Sequence, residues 1–173
     1  MMELAREMNV KATFFLCGLA EWKKKFELGG IPDTPFLFDN LLIPPDRVTL
    51  FFEGLLAFEQ EDYVKCIHVL VFQVENSLRE LLRILDRPVS KSTDDGNQPK
   101  NMNDVLYDPV VKDALDPKLW LFLKVLYADN RGMNLRNLVS RGVAPPTAFN
   151  RVNASLVVQS VVFLALICGE AIR

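Results

Sequence analysis

Residues 59–85 constrain the fold more than any other stretch of this 173-residue chain. Val64, Ile67, Leu70, Val71, Val74, Leu78, Leu81, Leu82 and Leu85 recur there at three- and four-residue steps. That spacing puts them on one face of a single long helix, and such a face is stable only when other apolar elements cover it. Elements of the right kind flank it on both sides. Val48, Leu50, Phe51, Leu55 and Phe58 predict a short helix after Pro44-Pro45, with Asp46 as its N-cap. Leu119, Leu123 and Leu126 predict another, opened by Asp116-Pro117, since proline suits the first helical position.

The rest of the chain fits the same class. Pro88 ends the long helix, and the polar stretch 91–100 reads as an exposed loop. Residues 103–115 predict one or two short helices broken near Pro109. Gly132 opens a further segment through Asn134 to Arg141, which Gly142 closes as a helix C-terminal glycine. The last helix is expected from Thr147, after Pro145-Pro146, to Cys168. It contains the most apolar run, 156–168, which includes Gln159 and Ser160 and falls short of the ~18–20 residues a membrane span needs. No run of alternating strand residues competes. The expected fold is an all-α bundle of four to six helices, with helix in well over half the residues. Residues 1–45 form an N-terminal helix, broken by Gly18 and ending in Lys23-Lys24-Lys25, and a proline-rich connection. Residues 46–173 form the helical domain. Both ends look cut from a larger protein.

Composition limits the function classes. Half the residues are apolar, which is enough for a real core, and the formal net charge of −2 rules out a general basic coat for gripping nucleic acid. Any such contact must be local. Cys17, Cys66 and Cys168 are odd in number, far apart and set in apolar stretches, as buried thiols of a reducing, cytoplasmic compartment would be. No signal peptide is evident. His68, the only histidine, reads as a partly buried structural residue, and no cysteine, histidine or acidic cluster has metal-ligand spacing.

Residues 132–142 read Gly-Met-Asn-Leu-Arg-Asn-Leu-Val-Ser-Arg-Gly. This stretch resembles the R-N-x-x-x-H-G signature of a branch of the HEPN (higher eukaryotes and prokaryotes nucleotide-binding) superfamily. That branch includes a domain of the endoplasmic-reticulum-membrane-associated RNA degradation protein. Arg136, Asn137 and Gly142 match, and Arg141 stands where the branch has histidine. Residues 69–79, Val-Leu-Val-Phe-Gln-Val-Glu-Asn-Ser-Leu-Arg, are similar to the branch's apolar-Pro-Gln-x-Glu-x-x-Leu-Arg helix, with Phe72 in place of proline. The resemblance covers 46–168.

The resemblance implies a helical bundle that acts as a homodimer on RNA, without metal or cofactor, in toxin or defence settings. In such a site histidine takes the proton of a ribose 2′-hydroxyl, and arginine steadies the phosphate. It assigns Arg136, Asn137 and Arg141 to the catalytic motif, with Glu75 and Arg79 supporting the Arg136 segment. Glu75 and Arg79 are also spaced for an ordinary salt bridge within one helix. Arginine cannot accept a proton at neutral pH, so the expected enzyme is impaired as written. Two origins of Arg141 fit: a substitution introduced to silence a nuclease, or natural loss of catalysis with binding retained. Asn137 and Arg141, four apart, should share a helix face, and with Arg136 next to Asn137 the site should present two guanidinium groups and an amide, a phosphate-binding surface without a proton acceptor. The alternative is a non-catalytic helical module that binds RNA, nucleotide or a partner protein.

Overall fold

A computed structural model describes residues 2–25, 30, 38–94 and 96–170. Among these the chain folds into eight α-helices and one short hairpin. The helices are α1 (Met2–Lys25), α2 (Val48–Glu59), α3 (Tyr63–Ile84), α4 (Met102–Leu106), α5 (Pro109–Ala114), α6 (Pro117–Tyr127), α7 (Leu135–Ser140) and α8 (Arg151–Glu170). Strands β1 (Ser90–Thr93) and β2 (Gly96–Pro99) pair antiparallel between α3 and α4. Helix accounts for 69% of the described structure, which makes the class all-α. No helix among the described residues is long and apolar enough to cross a membrane.

The periodic face of the long segment becomes the centre of the molecule. Ile67, Leu70, Val71, Val74, Leu78, Leu81 and Leu82 of α3 are buried, and α2, α8, α4 and α7 all pack on that helix. Helix α8 supplies Leu156, Val157, Val158, Val161 and Leu164 to the same core, and α1 lies along it through Met8 and Ala12. Inside this core the Tyr127 hydroxyl donates to Ser160 Oγ at 2.9 Å, so this fully buried polar group is satisfied. Short polar side chains fix the helix starts. Asp62 accepts from the Lys65 amide, Asn101 and Asp104 form a reciprocal capping box, Asp108 accepts from Val110, and Asp116 accepts from Lys118 and Leu119.

Several sequence expectations shift. The described residues hold eight α-helices against the four to six expected, and the segment 103–115 forms two of them, separated at Asp108, where a cap and Pro109 start α5. The polar stretch 91–100 forms the hairpin, held by backbone pairing and by hydrogen bonds such as Ser92 Oγ to Asn97 Oδ1 at 3.1 Å. It buries no apolar row, so periodicity could not reveal it. Asp46 does not cap α2: it sits inside a 3₁₀ turn, Pro45–Arg47, and α2 follows without a side-chain cap. The last helix starts at Arg151, after a second 3₁₀ turn at Pro146–Ala148, where Asn150 Oδ1 accepts from the Asn153 amide. Cys66 is buried, and burial followed by the nearby Asp62 charge pushes its thiol up to about 12. Cys17 is exposed instead, because it lies off the α1 stripe that faces α8. His68 is also exposed. Its Nδ1 lies 2.8 Å from the Val64 carbonyl oxygen and its ring stacks on Phe149 at 4.9 Å. The glycine- and proline-rich connection lies in large part outside the described residues, as do the side chains of Lys23, Lys25 and Cys168.

Three aspartates clamp the corner formed by the hairpin, α4 and the loop before α7, and all three stay ionised below the ordinary carboxylate range. For Asp104, burial works against this. It is outweighed by the hydrogen bond from Lys91, the Asn101 amide and the charges of Lys91 and Lys100. For Asp108, burial is again outweighed, by the Val110 amide, Arg87 and Lys100. The Arg131 side chain and amide lower Asp129 to about 2. Groups depressed in the folded state contribute stability above their unfolded pKa of ~3.9 and lose it as pH falls further. Thermal unfolding followed by circular dichroism should therefore show no loss from these groups between pH 7 and 5, and a falling Tm from about pH 4 to 2. The triple variant D104N/D108N/D129N should flatten that acid limb. An equally steep limb in the variant would assign acid sensitivity to other groups.

Candidate functional site

The 132–142 segment is built by three local devices. Gly132 passes so close to α6 that a Cβ there would lie 2.3 Å from the Val125 carbonyl oxygen, while the Met133 amide donates to that oxygen at 2.9 Å. Asn134 takes a left-handed conformation (φ +49°), which asparagine tolerates better than most residues, and turns the chain into α7. At the other end Gly142 (φ +66°) closes the helix. Its amide donates to Val139 O and the Val143 amide to Leu138 O, a Schellman closure that leaves Arg141 as the C-cap.

Across from α7 stands Glu75 of α3, only 4% exposed. Arg136 reaches it with two parallel bonds, Nε to Oε2 at 2.6 Å and Nη2 to Oε1 at 3.2 Å. Arg79, one turn on from Glu75, donates Nη1 to the same Oε1 at 3.0 Å and to the Lys100 carbonyl oxygen at 3.2 Å. One buried carboxylate thus holds two guanidinium groups, an arrangement in which the fork geometry of arginine fixes orientation. Arg136 Nη1 also lies 3.3 Å from Asn137 Oδ1 as donor. The buried Asn137 passes its own amide N–H to Asn134 Oδ1 at 2.6 Å, and Asn134 donates to Asn130 Oδ1 at 2.9 Å.

Arg136, Asn137, Glu75 and Arg79 therefore form one connected cluster. Arg141 is placed differently. Its amide still bonds to the Asn137 carbonyl at 3.3 Å, so helical spacing is kept, but its side chain is exposed and has no partner among the described residues. Asn137 and Arg141 follow the same backbone face yet diverge in environment. Of the two guanidinium groups expected to face solvent together, Arg136 is turned inward and offset by Glu75. Its fork still has N–H groups that no neighbour accepts, because it carries five donors and uses three. The connected residues Glu75, Arg79 and Arg136 together carry a net positive charge on a slightly acidic protein.

Sequence reasoning missed the Lys100 carbonyl, since a main-chain acceptor leaves no residue-type signal. It also missed the asparagine relay, although the 130-134-137 spacing of like residues around one turn was there to be read. Among the described residues no group of three or more histidine, cysteine or acidic side chains is placed to hold a metal ion. A cavity of about 730 Å³ between α1, α6 and α8, lined by Phe14, Phe15, Phe122 and Phe163, shares no residue with this cluster. No protein-family model, curated protein or solved structure matches the chain.

Proposed function

We propose that residues 46–173 are an RNA-binding domain of the HEPN type in which the phosphate-contacting groups remain and the proton acceptor is gone. The observation that carries this reading is the bidentate Glu75–Arg136 pair, which fixes a partly exposed guanidinium on the helix whose C-cap is the exposed Arg141, a side chain with no partner among the described residues. Arginine forks suit phosphate oxygens, and their local charge fits a chain with no basic coat. Catalysis of phosphodiester cleavage by 2′-hydroxyl attack needs a base, and none of Arg136, Asn137 and Arg141 can accept a proton at neutral pH. The domain acts as a symmetric homodimer, because two copies of a sparse positive patch grip a single strand better than one.

Two measurements test this. Light scattering at tens of micromolar should give a dimer, and a strict monomer would remove the dimeric form of this reading. Fluorescence anisotropy with labelled single-stranded RNA should show weak, salt-sensitive binding. Arg141→Ala should weaken it uniformly across sequences and reduce the salt slope by about 0.7 for each phosphate no longer neutralised. An unchanged slope would remove Arg141 from the site. A second reading has one observation in its favour: Arg136 spends three of its donors inside the chain, as a purely structural clamp would. Under it the domain is a helical interaction module, and RNA binding is absent.

A further inference from the structure

A second group of cations and rings lies one loop away from the cluster and takes no part in it. Lys124 of α6 is wedged between two aromatic rings, its Nζ 4.8 Å from the centre of Trp120 and 5.1 Å from that of Tyr107. Lys112 of α5 stands over Trp120 at 5.2 Å. Trp120 is pinned by its indole N–H, which donates to the Leu106 carbonyl oxygen at 2.8 Å. Arg131, with a mostly exposed side chain, is braced on Asp129 and lies within electrostatic reach of the Tyr107 hydroxyl.

Tyr107 is the odd member. It is 53% exposed although it has a large ring, and holding Lys124 does not require it, since Trp120 and the Asp129 carboxylate (4.0 Å) already do so. An exposed ring backed by a cation, with Lys112 and Arg131 nearby, combines the two things a single strand offers: a base with a π-face and a phosphate with a charge. The position also suits a strand that crosses the Arg136 cluster. On one side the relay Asn137–Asn134–Asn130 leads from Arg136 into the loop that carries Arg131. On the other, Arg79 bonds the Lys100 carbonyl, Lys100 Nζ lies 3.4 Å from Asp108, and Asp108 follows Tyr107 in the chain.

We infer that Tyr107 is a base-stacking subsite for single-stranded RNA, with Lys112 and Arg131 as its phosphate contacts, flanking the Arg136–Arg141 site. This rests on the reading that the domain binds RNA. The whole chain is titrated with labelled oligo-adenylate RNA and, separately, with inorganic polyphosphate, which has charge and no bases. Tyr107→Ala should weaken oligo-adenylate binding about five- to a hundredfold and leave polyphosphate binding unchanged. Tyr107→Phe, which keeps the ring, should stay within about twofold of the parent on RNA, since stacking needs only the π-face. If Arg141→Ala weakens RNA binding and Tyr107→Ala does not, the subsite is refuted while the RNA reading stands. If Tyr107→Ala weakens both ligands equally, the ring acts only by placing Lys124, and the subsite is refuted. If the parent protein binds polyphosphate and no RNA, both the subsite and the RNA reading fall.

Discussion

Glu75→Ala is expected to lower stability by about 3–5 kcal/mol, which for a chain of this size corresponds to a Tm loss of roughly 6–20 °C. Glu75 is buried and receives three hydrogen bonds from two arginines. Removing it leaves two guanidinium groups close together, partly desolvated and without their counter-charge. That is more costly than the loss of the attraction itself. It also unties α7 from α3, since Arg136 lies 61 residues from Glu75 in sequence and bridges the two helices directly. A double-mutant cycle isolates the pair. Glu75→Ala and Arg136→Ala together should cost at least about 1 kcal/mol less than the sum of the two single losses. Urea or thermal unfolding supplies the numbers. A Glu75→Ala loss under about 1 kcal/mol would mean the pair is no stronger than an exposed surface bridge.

What could be read from the sequence follows from which forces leave a periodic trace. The apolar stripe of α3 and the proline start of α6 were legible because burial and the missing proline amide dictate residue type position by position, whereas Pro109 was read only as a break and proves to open α5. The Gly142 closure was legible for the same reason, since a left-handed C-terminal position selects glycine. The hairpin was not, because Ser90–Thr93 and Gly96–Pro99 pair through main-chain groups that every residue has. Asp46 and Thr147 were misread as helix starts because 3₁₀ turns use the same proline and polar residues as caps do. In the site, the residues were legible from two motifs, and their electrostatics were not. The motifs led to the expectation that Glu75 supports the Arg136 segment, and the two residues do meet; that Arg136 turns inward on Glu75 while Arg141 stays open to solvent was not legible, because it depends on how α7 lies against α3.

Arg141→His is expected to give the largest functional change of any single substitution. The side chain is exposed and has no partner among the described residues, so the replacement leaves no hole there, and stability should move by no more than about 0.5 kcal/mol. What changes is proton chemistry. Arginine stays charged throughout the neutral range and cannot take a proton there, whereas histidine with an unperturbed pKa of ~6.5 is largely neutral at pH 7 and can. In the step this permits, the imidazole removes the 2′-hydroxyl proton, the 2′-oxygen attacks phosphorus, and the bond to the 5′-oxygen breaks as that oxygen takes a proton from water. The products are a 2′,3′-cyclic phosphate and a 5′-hydroxyl end. A positioned general base contributes typically ~10²–10⁴-fold, and so does a donor that stabilises the phosphorane charge. Arg136→Lys in the restored protein keeps the charge and loses the fork, so it should remove most of the gain.

Cleavage of a labelled single-stranded RNA in the presence of chelator, compared for the parent protein, Arg141→His and Arg141→His with Arg136→Lys, tests the proposed site most directly. The expected result is no cleavage above background for the parent, cyclic-phosphate products at a rate at least about 10²-fold higher for Arg141→His, and a return toward background for the double variant. The contradicting result is an Arg141→His protein, folded by circular dichroism and dimeric by light scattering, that leaves RNAs of varied sequence intact.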